Sequence, residues 1–261
     1  MSLTSKVKSF IKHYLNATNE HGVHSPFVFD LLNYVIYSEQ EYYDFEKLNS
    51  FFDKVRNNEQ TIEIIDLGAG SNKGNTKQKK IGEIAKVSGK NKKQGELLFK
   101  LVNYFNPENT IELGTSLGIG TGYLASANKK KLVYTIEGNP NAQFIAKKNF
   151  DLLQLKNVTT ITGNFDTELP KLLRELKTCD FVYFDGNHKK KPTLNYFYLC
   201  LQKHSTKSVF IFDDINWSAE MQEAWETIKN NEAVTVTVDL YYMGLVFFRT
   251  EQKKQHFKIR F

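Results

Sequence analysis

Two acidic residues that flank a glycine-rich stretch carry the strongest chemical signal in this sequence. Glu112 ends an apolar run, the stretch 114–122 follows it, and Glu137 ends the next apolar run. Glycines let the backbone approach a ligand closely, and the helix expected after them offers free N–H groups. An acid that closes the following strand is placed to accept hydrogen bonds from ribose hydroxyls. The pattern therefore predicts a site for an adenosine-containing cofactor.

The elements that must position these residues alternate along the chain. Strand-like runs at 157–162, 179–184 and 208–212 are separated by segments with helical character. Apolar strands that alternate with helices predict an α/β fold with a parallel sheet covered on both faces. The last two runs, 234–238 and 240–248, lie so close together that only an antiparallel hairpin can join them.

The spacing Glu112-x-Gly114-x-x-x-Gly118 resembles the first motif of class I S-adenosylmethionine-dependent methyltransferases. It is most similar to the small-molecule O-methyltransferase branch, whose turn reads Glu-x-Gly-Thr-x-x-Gly. A dinucleotide fingerprint is disfavoured because Tyr123 stands where its third glycine belongs. The resemblance implies a Rossmann-like, doubly wound sheet of seven strands, mostly parallel with a C-terminal antiparallel hairpin, plus an N-terminal helical extension.

The resemblance also implies which residues contact S-adenosylmethionine. Gly114 and its neighbours would line the methionine part, and Glu137 would hold the ribose. Asn164 replaces the family's acid near the adenine, where its amide oxygen can accept the same hydrogen bond. The predicted cofactor contacts are Glu112, Gly114, Thr115, Ser116, Gly118, Glu137, Asn164, Phe165 and Asp185.

A catalytic centre with a divalent cation is implied in the same way. Metal-dependent relatives bind the cation with an Asp after the fourth strand and an Asp-Asn pair after the fifth. Here Asp185, Asp213 and Asp214 stand at those places, with Asp214 in place of Asn. Such a site suits Mg²⁺, which would acidify a substrate hydroxyl. His188 takes the place of the family's catalytic lysine, so Asp185 and His188 are the predicted catalytic residues. The alternative, that the aspartates only cap helices, stays open.

The basic character of the chain is local. The net charge is +6, but residues 71–95 hold eight lysines and one acid, Glu83. This lysine-rich segment predicts a solvated loop, and the alternative is a lid that attracts an acidic substrate or a nucleic-acid backbone. The absence of arginine and aromatic residues there disfavours nucleic acid. The lysines are Lys73, Lys77, Lys79, Lys80, Lys86, Lys90, Lys92 and Lys93.

Three segments are predicted: a helical extension at 1–60, a strand-like segment with a lysine-rich loop at 61–95, and the cofactor-binding domain at 96–261. The first helix is amphipathic, and packing on the domain is favoured over a membrane surface. Ser25 and Pro26 should begin the next helix. His21 and His24 are expected to make structural hydrogen bonds, and a functional role is less favoured.

Residues 62–71 resemble the first motif of the methyltransferase family, but Asn72 stands where the third glycine of that motif belongs.

The sequence as a whole predicts a cytoplasmic protein without a membrane span, because it has two cysteines and no long apolar run. Its predicted function is S-adenosylmethionine-dependent methyl transfer to an oxygen of a small-molecule substrate. An RNA or protein methyltransferase is the first alternative, and a catalytically inactive cofactor-binding interaction protein is the second. A homodimer is left open.

Overall fold

The computed structural model describes residues 3–66, 75–87 and 90–261, which contain ten α-helices and ten β-strands. The helices are α1 (Leu3–Asn16), α2 (Pro26–Leu31), α3 (Tyr43–Arg56), α4 (Ile81–Val87), α5 (Lys92–Phe105), α6 (Ile119–Ala127), α7 (Pro140–Leu153), α8 (Phe165–Glu175), α9 (Lys190–Leu201) and α10 (Ala219–Asn230). The strands are β1 (Thr61–Asp66), β2 (Asn75–Lys80), β3 (Asn109–Leu113), β4 (Leu132–Glu137), β5 (Val158–Thr162), β6 (Phe181–Phe184), β7 (Val209–Asp213), β8 (Val236–Asp239), β9 (Met243–Phe247) and β10 (Gln255–Lys258).

One compact unit, residues 39–169, contains three parallel strands in the order β3-β4-β5. The register pairs Glu112 with Thr135 and Glu137 with Thr162, which places both acids near the carboxyl ends of their strands. Helix α6 is buried along residues 119–126, as expected for a helix that is apolar on every side. Tyr123 of α6 packs with residues of α3 and α7 in the core of this unit.

The other compact unit, residues 1–38 and 170–261, has five strands in the order β10-β8-β9-β7-β6. Strands β6 and β7 are parallel, and β9 runs antiparallel to both β7 and β8. All residues of these four strands are buried, in line with their nearly continuous apolar sequences. The tight turn between β8 and β9 holds Tyr241 at a φ of 72°.

The predicted α/β class, the mostly parallel strands and the antiparallel hairpin are confirmed. The strand count differs, because three strands in one unit and five in the other make eight instead of seven. The additional strand is β10, which pairs in parallel with β8. The predicted segment boundaries at residues 60 and 95 stay a prediction, and the compact units divide the chain elsewhere.

The segment predicted as a lysine-rich loop is largely regular structure where the structure describes it. Strand β2 pairs antiparallel with β1, and α4 follows β2 directly. The loop prediction is therefore wrong for residues 75–87. A nucleotide-binding motif at residues 62–71 would need β1 to pair with a parallel strand. In the part of the chain that the structure describes, β1 pairs only with the antiparallel strand β2. Gly68, Gly70, Asn72 and Lys73 lie outside the described residues.

The N-terminal extension begins with the expected amphipathic helix α1. Its next helix, α2, starts as predicted: the Ser25 hydroxyl accepts the Val28 N–H at 3.4 Å, and Pro26 occupies the first turn. Among the described residues, no helix combines the length and apolar character needed to cross a membrane.

Candidate active site

The glycine-rich loop between β3 and α6 turns sharply because three of five successive residues adopt left-handed backbone angles. Gly114 has a φ of 108°, Ser116 of 49° and Gly118 of 79°. The loop is tied to β4, since the Gly114 N–H donates to the Ile136 carbonyl at 2.9 Å. A serine in the left-handed region is uncommon, and such strain concentrates at ligand sites.

Glu137 connects this loop to the end of β4. Its Oε2 accepts the Ser116 N–H at 2.7 Å, and its Oε1 accepts the Asn139 N–H at 2.8 Å. Burial raises the pKa of Glu137, and the backbone donors of Asn139 and Ser116 oppose that rise. A carboxylate has about four acceptor positions, and the backbone N–H groups of Ser116, Asn139 and Gly138 occupy three of them, so one ribose hydroxyl can still be accepted. Its contact with the ribose stays a prediction.

Glu112 lies fully buried beneath the loop. Its Oε2 accepts hydrogen bonds from the hydroxyls of Thr121 and Thr135, the latter at 2.6 Å. Its Oε1 accepts no hydrogen bond within the described part of the chain. Burial raises the pKa of Glu112 above its ordinary value. A buried carboxylate oxygen without a donor is the kind of atom that a bound cationic group would satisfy.

Lys90 is a neighbour of Glu112 that the sequence prediction missed. A β-carbon added at Gly120 would lie 2.7 Å from Oε1 of Glu112 and 3.4 Å from the ε-carbon of Lys90. Lys90 is only 6% exposed, and its positive charge lowers the pKa of Glu112. The sequence predicted that Lys90 belongs to a solvated, lysine-rich loop. Its burial next to an acid has no local sequence signal.

Gly118 has a packing role as well as a conformational one. A β-carbon there would lie 2.6 Å from the ring of Phe150 and 3.2 Å from the Ala146 β-carbon, both on α7. The close approach that requires glycine at this position is therefore to a neighbouring helix. The motif spacing found the residue, and helix packing explains it.

Asn164 and Phe165 lie at the start of α8. Asn164 is exposed, and its Oδ1 accepts the Asp166 N–H at 2.9 Å, which caps the first turn of the helix. Phe165 is half-buried. Their contact with an adenine ring stays a prediction.

In the other unit, the imidazole of His188 lies between two carboxylates. Its Nε2 is 4.0 Å from Oδ1 of Asp185 and 3.8 Å from Oδ2 of Asp214. His188 follows β6, and Asp214 follows β7, so the adjacent parallel strands bring them together. Asn187 and Asp214 both have a φ of 54°, which marks both strand ends as strained turns. A partly exposed imidazole at the ends of two adjacent strands is the kind of side chain that can take a proton from a substrate.

Asp213 is engaged by the protein itself. Its Oδ2 accepts the Tyr183 hydroxyl at 2.7 Å, and its Oδ1 accepts the Asp214 N–H at 3.1 Å. Within the described ranges, no three His, Cys, Asp or Glu side chains are arranged to hold a metal ion. Asp185 and Asp214 face an imidazole, and Asp213 faces a phenol. The cation predicted at these three acids therefore stays a prediction.

Two other predicted features can be placed. His21 is exposed, 3.4 Å from Glu20, and His24 is exposed as well, so neither has a described role in a site. In the lysine-rich segment, Lys80 pairs with Glu59 and Lys92 pairs with Asp53 at 2.7 Å. These ion pairs reduce the positive charge that the segment offers to a nucleic acid.

Comparison with known proteins agrees with this geometry. Residues 111–215 match the model of a family described as a methyltransferase domain. These residues of the chain are therefore similar to a methyltransferase domain. A curated relative, the catechol O-methyltransferase of Niastella koreensis, is 30% identical over 125 residues, which are 47% of this chain and 56% of that protein. The chain thus matches little more than half of the length of that relative.

Solved structures share the fold of the methyltransferase domain. The O-methyltransferase from Bacillus cereus in complex with SAH is 18% identical, with a TM-score of 0.53 over 80% of this chain and 92% of that one. The O-methyltransferase TomG from Streptomyces achromogenes, in complex with SAM, is 19% identical. Its TM-score is 0.53, over 62% of this chain and 82% of that one. At these identities the likeness concerns the fold alone, and that fold is the one expected from the first motif.

Proposed function

We propose that this protein transfers a methyl group from S-adenosylmethionine to an oxygen atom of a small molecule. The observation that carries the proposal is the pair of hydrogen bonds that Glu137 accepts from the loop residue Ser116 and from Asn139. They fix a ribose acceptor beside a strained glycine-rich turn. The matched methyltransferase family and the catechol O-methyltransferase relative support the reaction class.

In this proposal the loop holds the cofactor and Glu137 holds its ribose. The unpartnered Oε1 of Glu112 offers an acceptor beneath the loop, and Thr115 is fixed there by its 2.5 Å contact with the Thr135 hydroxyl. When bound, S-adenosylmethionine supplies a methyl group that its sulfonium makes electrophilic. The protein then has to orient an acceptor oxygen and remove its proton.

His188 is the proposed general base. Its Nε2 would take the proton of the acceptor hydroxyl, and the neighbouring carboxylates of Asp185 and Asp214 would orient the ring. The cation predicted at Asp185, Asp213 and Asp214 competes with this role, because a metal ion would need the acids that now face His188. Chelation distinguishes the two.

Cofactor binding is tested by calorimetry with S-adenosylhomocysteine on the full chain. The intact protein should bind at about micromolar strength, and Glu137→Ala should weaken binding at least about tenfold through the loss of a charge-assisted acceptor. Gly114→Val should abolish binding, because a β-branched residue is strained at a φ of 108°. Glu108→Gln, on an exposed acid paired with Lys131, is the matched control and should bind normally.

The same titrations bear on the alternatives. Unchanged binding in Glu137→Ala and Gly114→Val would contradict the proposed site. Binding without turnover of any phenolic acceptor would favour the inactive interaction protein. Salt-sensitive binding of RNA, weakened by Lys77→Gln and Lys79→Gln on the exposed β2, would favour an RNA substrate.

A further inference from the structure

Helix α1 presents an apolar face to solvent. Val7, Ile11 and Leu15 follow one another at every fourth position, and Tyr14 lies on the same stripe. Their exposed fractions are 50%, 50%, 74% and 50% in the order Val7, Ile11, Leu15 and Tyr14. A contiguous exposed apolar stripe marks an interaction site more often than isolated apolar residues do.

Another face of α1, which carries His13 and Phe10, packs against the rest of the unit. Rotation of α1 to bury the apolar stripe would break these contacts. His13 is buried, with its Nδ1 3.4 Å from Oδ1 of Asp239 and its Nε2 3.3 Å from the carbonyl of Ile259. The ring of Phe10 packs edge-on against Tyr241, with centroids 5.0 Å apart. Asp239, Tyr241 and Ile259 are buried and belong to the same compact unit as α1.

The charge beside the stripe is positive. Lys8 and Lys12 are exposed and occupy one flank, each one residue after a stripe residue. The first acidic residue of the chain is Glu20, so α1 carries no negative charge. An apolar stripe flanked by lysines matches the boundary of an anionic lipid layer, where acyl chains meet negative headgroups.

The size of the face argues against a second copy of this chain as its occupant. A helix of 14 residues is about 21 Å long and about 10 Å wide, so one face covers about 200 Å². A stable dimer buries about 800 Å² on each partner. Symmetric pairing through α1 would also bring Lys8 and Lys12 of the two copies close together. We propose that the apolar face of α1 docks the protein on an anionic membrane surface.

The test is co-sedimentation of the full chain with vesicles of phosphatidylcholine alone and with about one third phosphatidylglycerol. Binding should occur only to the anionic vesicles and should weaken between about 0.1 M and about 0.5 M salt. Val7→Ser, Ile11→Ser and Leu15→Ser together should abolish it, without unfolding the protein, because all three side chains are exposed. Lys8→Gln with Lys12→Gln should weaken it about tenfold or more.

Matched controls replace exposed side chains elsewhere. Phe144→Ser with Leu152→Ser on α7 and Lys130→Gln with Lys156→Gln should bind as the unchanged protein does. Two outcomes would overturn the proposal: no binding to anionic vesicles, or equal binding by the triple serine variant. A third is a dimer in analytical ultracentrifugation that the triple serine variant converts to a monomer, which would assign the face to a homodimer.

Discussion

The hydroxyl of Tyr183 donates a 2.7 Å hydrogen bond to Oδ2 of Asp213, and both side chains are buried. The two residues lie on the adjacent parallel strands β6 and β7. The other oxygen of Asp213 accepts the N–H of Asp214. Asp213 therefore fixes the turn that positions Asp214 next to His188.

Replacing Tyr183 by phenylalanine tests this role. Tyr183→Phe would leave one oxygen of a buried carboxylate without its donor, so the free energy of unfolding should fall by about 1–3 kcal/mol. Tyr198→Phe on the exposed side of α9 is the control and should change it by less than about 0.5 kcal/mol. Urea unfolding followed by circular dichroism measures both. Equal stability of Tyr183→Phe and the unchanged protein would show that the hydrogen bond is not formed.

Chelation should leave methyl transfer unchanged. Asp185 and Asp214 face the His188 imidazole, and Asp213 is occupied by Tyr183, so the catalytic step proposed here needs no cation. Turnover of a phenolic acceptor is compared in excess chelator and in added Mg²⁺. Activity that disappears in chelator and returns with Mg²⁺ would restore the predicted metal centre, and the acids would then have to rearrange around the ion.

Removal of the imidazole should slow catalysis without weakening cofactor binding. His188→Gln should lower kcat by roughly 10²–10⁴-fold, the usual contribution of a general base. The deficit should shrink at high pH, because the acceptor hydroxyl then ionises unaided. His21→Gln, on a histidine whose side chain is 83% exposed, should retain full activity. A pH-independent deficit in His188→Gln would assign His188 a structural role instead.

Local patterns in the sequence were sufficient to predict the helices and strands that carry the candidate site. Met221, Trp225 and Ile228 recur at helical spacing in the sequence, and α10 buries all three side chains. Glu112 and Glu137 were placed at strand ends because an apolar run that ends in an acid is readable without any tertiary information. The crowded runs near the C-terminus likewise predicted the β8–β9 hairpin.

Features that depend on distant residues were not readable. Strand β10 is short and polar, and its pairing with β8 is set by contacts about twenty residues away along the chain. The burial of Lys90 depends on Glu112, and the role of Asp213 depends on Tyr183. Composition alone predicts that Lys90 is solvated, and position alone predicts that Asp213 binds a cation. Neither prediction takes account of the partner side chain, which the sequence does not reveal.

The last prediction concerns the pH dependence of stability that Glu112 imposes. Burial raises the folded-state pKa of Glu112 above its ordinary 4.5, so its stabilising contribution is present below that pH and is lost as the pH rises through the folded-state pKa. Glu112→Gln cannot ionise. The free energy of unfolding of Glu112→Gln, relative to that of the unchanged protein, should therefore increase as the pH rises from about 4.5. This difference should become constant above the folded-state pKa of Glu112. Urea unfolding at several pH values measures the difference, and a difference that does not change with pH would contradict the prediction.

Lys90 gives this prediction a second test. Its charge lowers the pKa of Glu112, so Lys90→Met should raise that pKa further and extend the pH range over which stability is lost. The cost of Lys90→Met at neutral pH should be smaller in the Glu112→Gln background, because no carboxylate remains to be neutralised. Lys86→Met on the exposed side of α4 is the control. Additive effects of the two substitutions would show that Lys90 and Glu112 do not interact, and Lys90 would then be buried for packing alone.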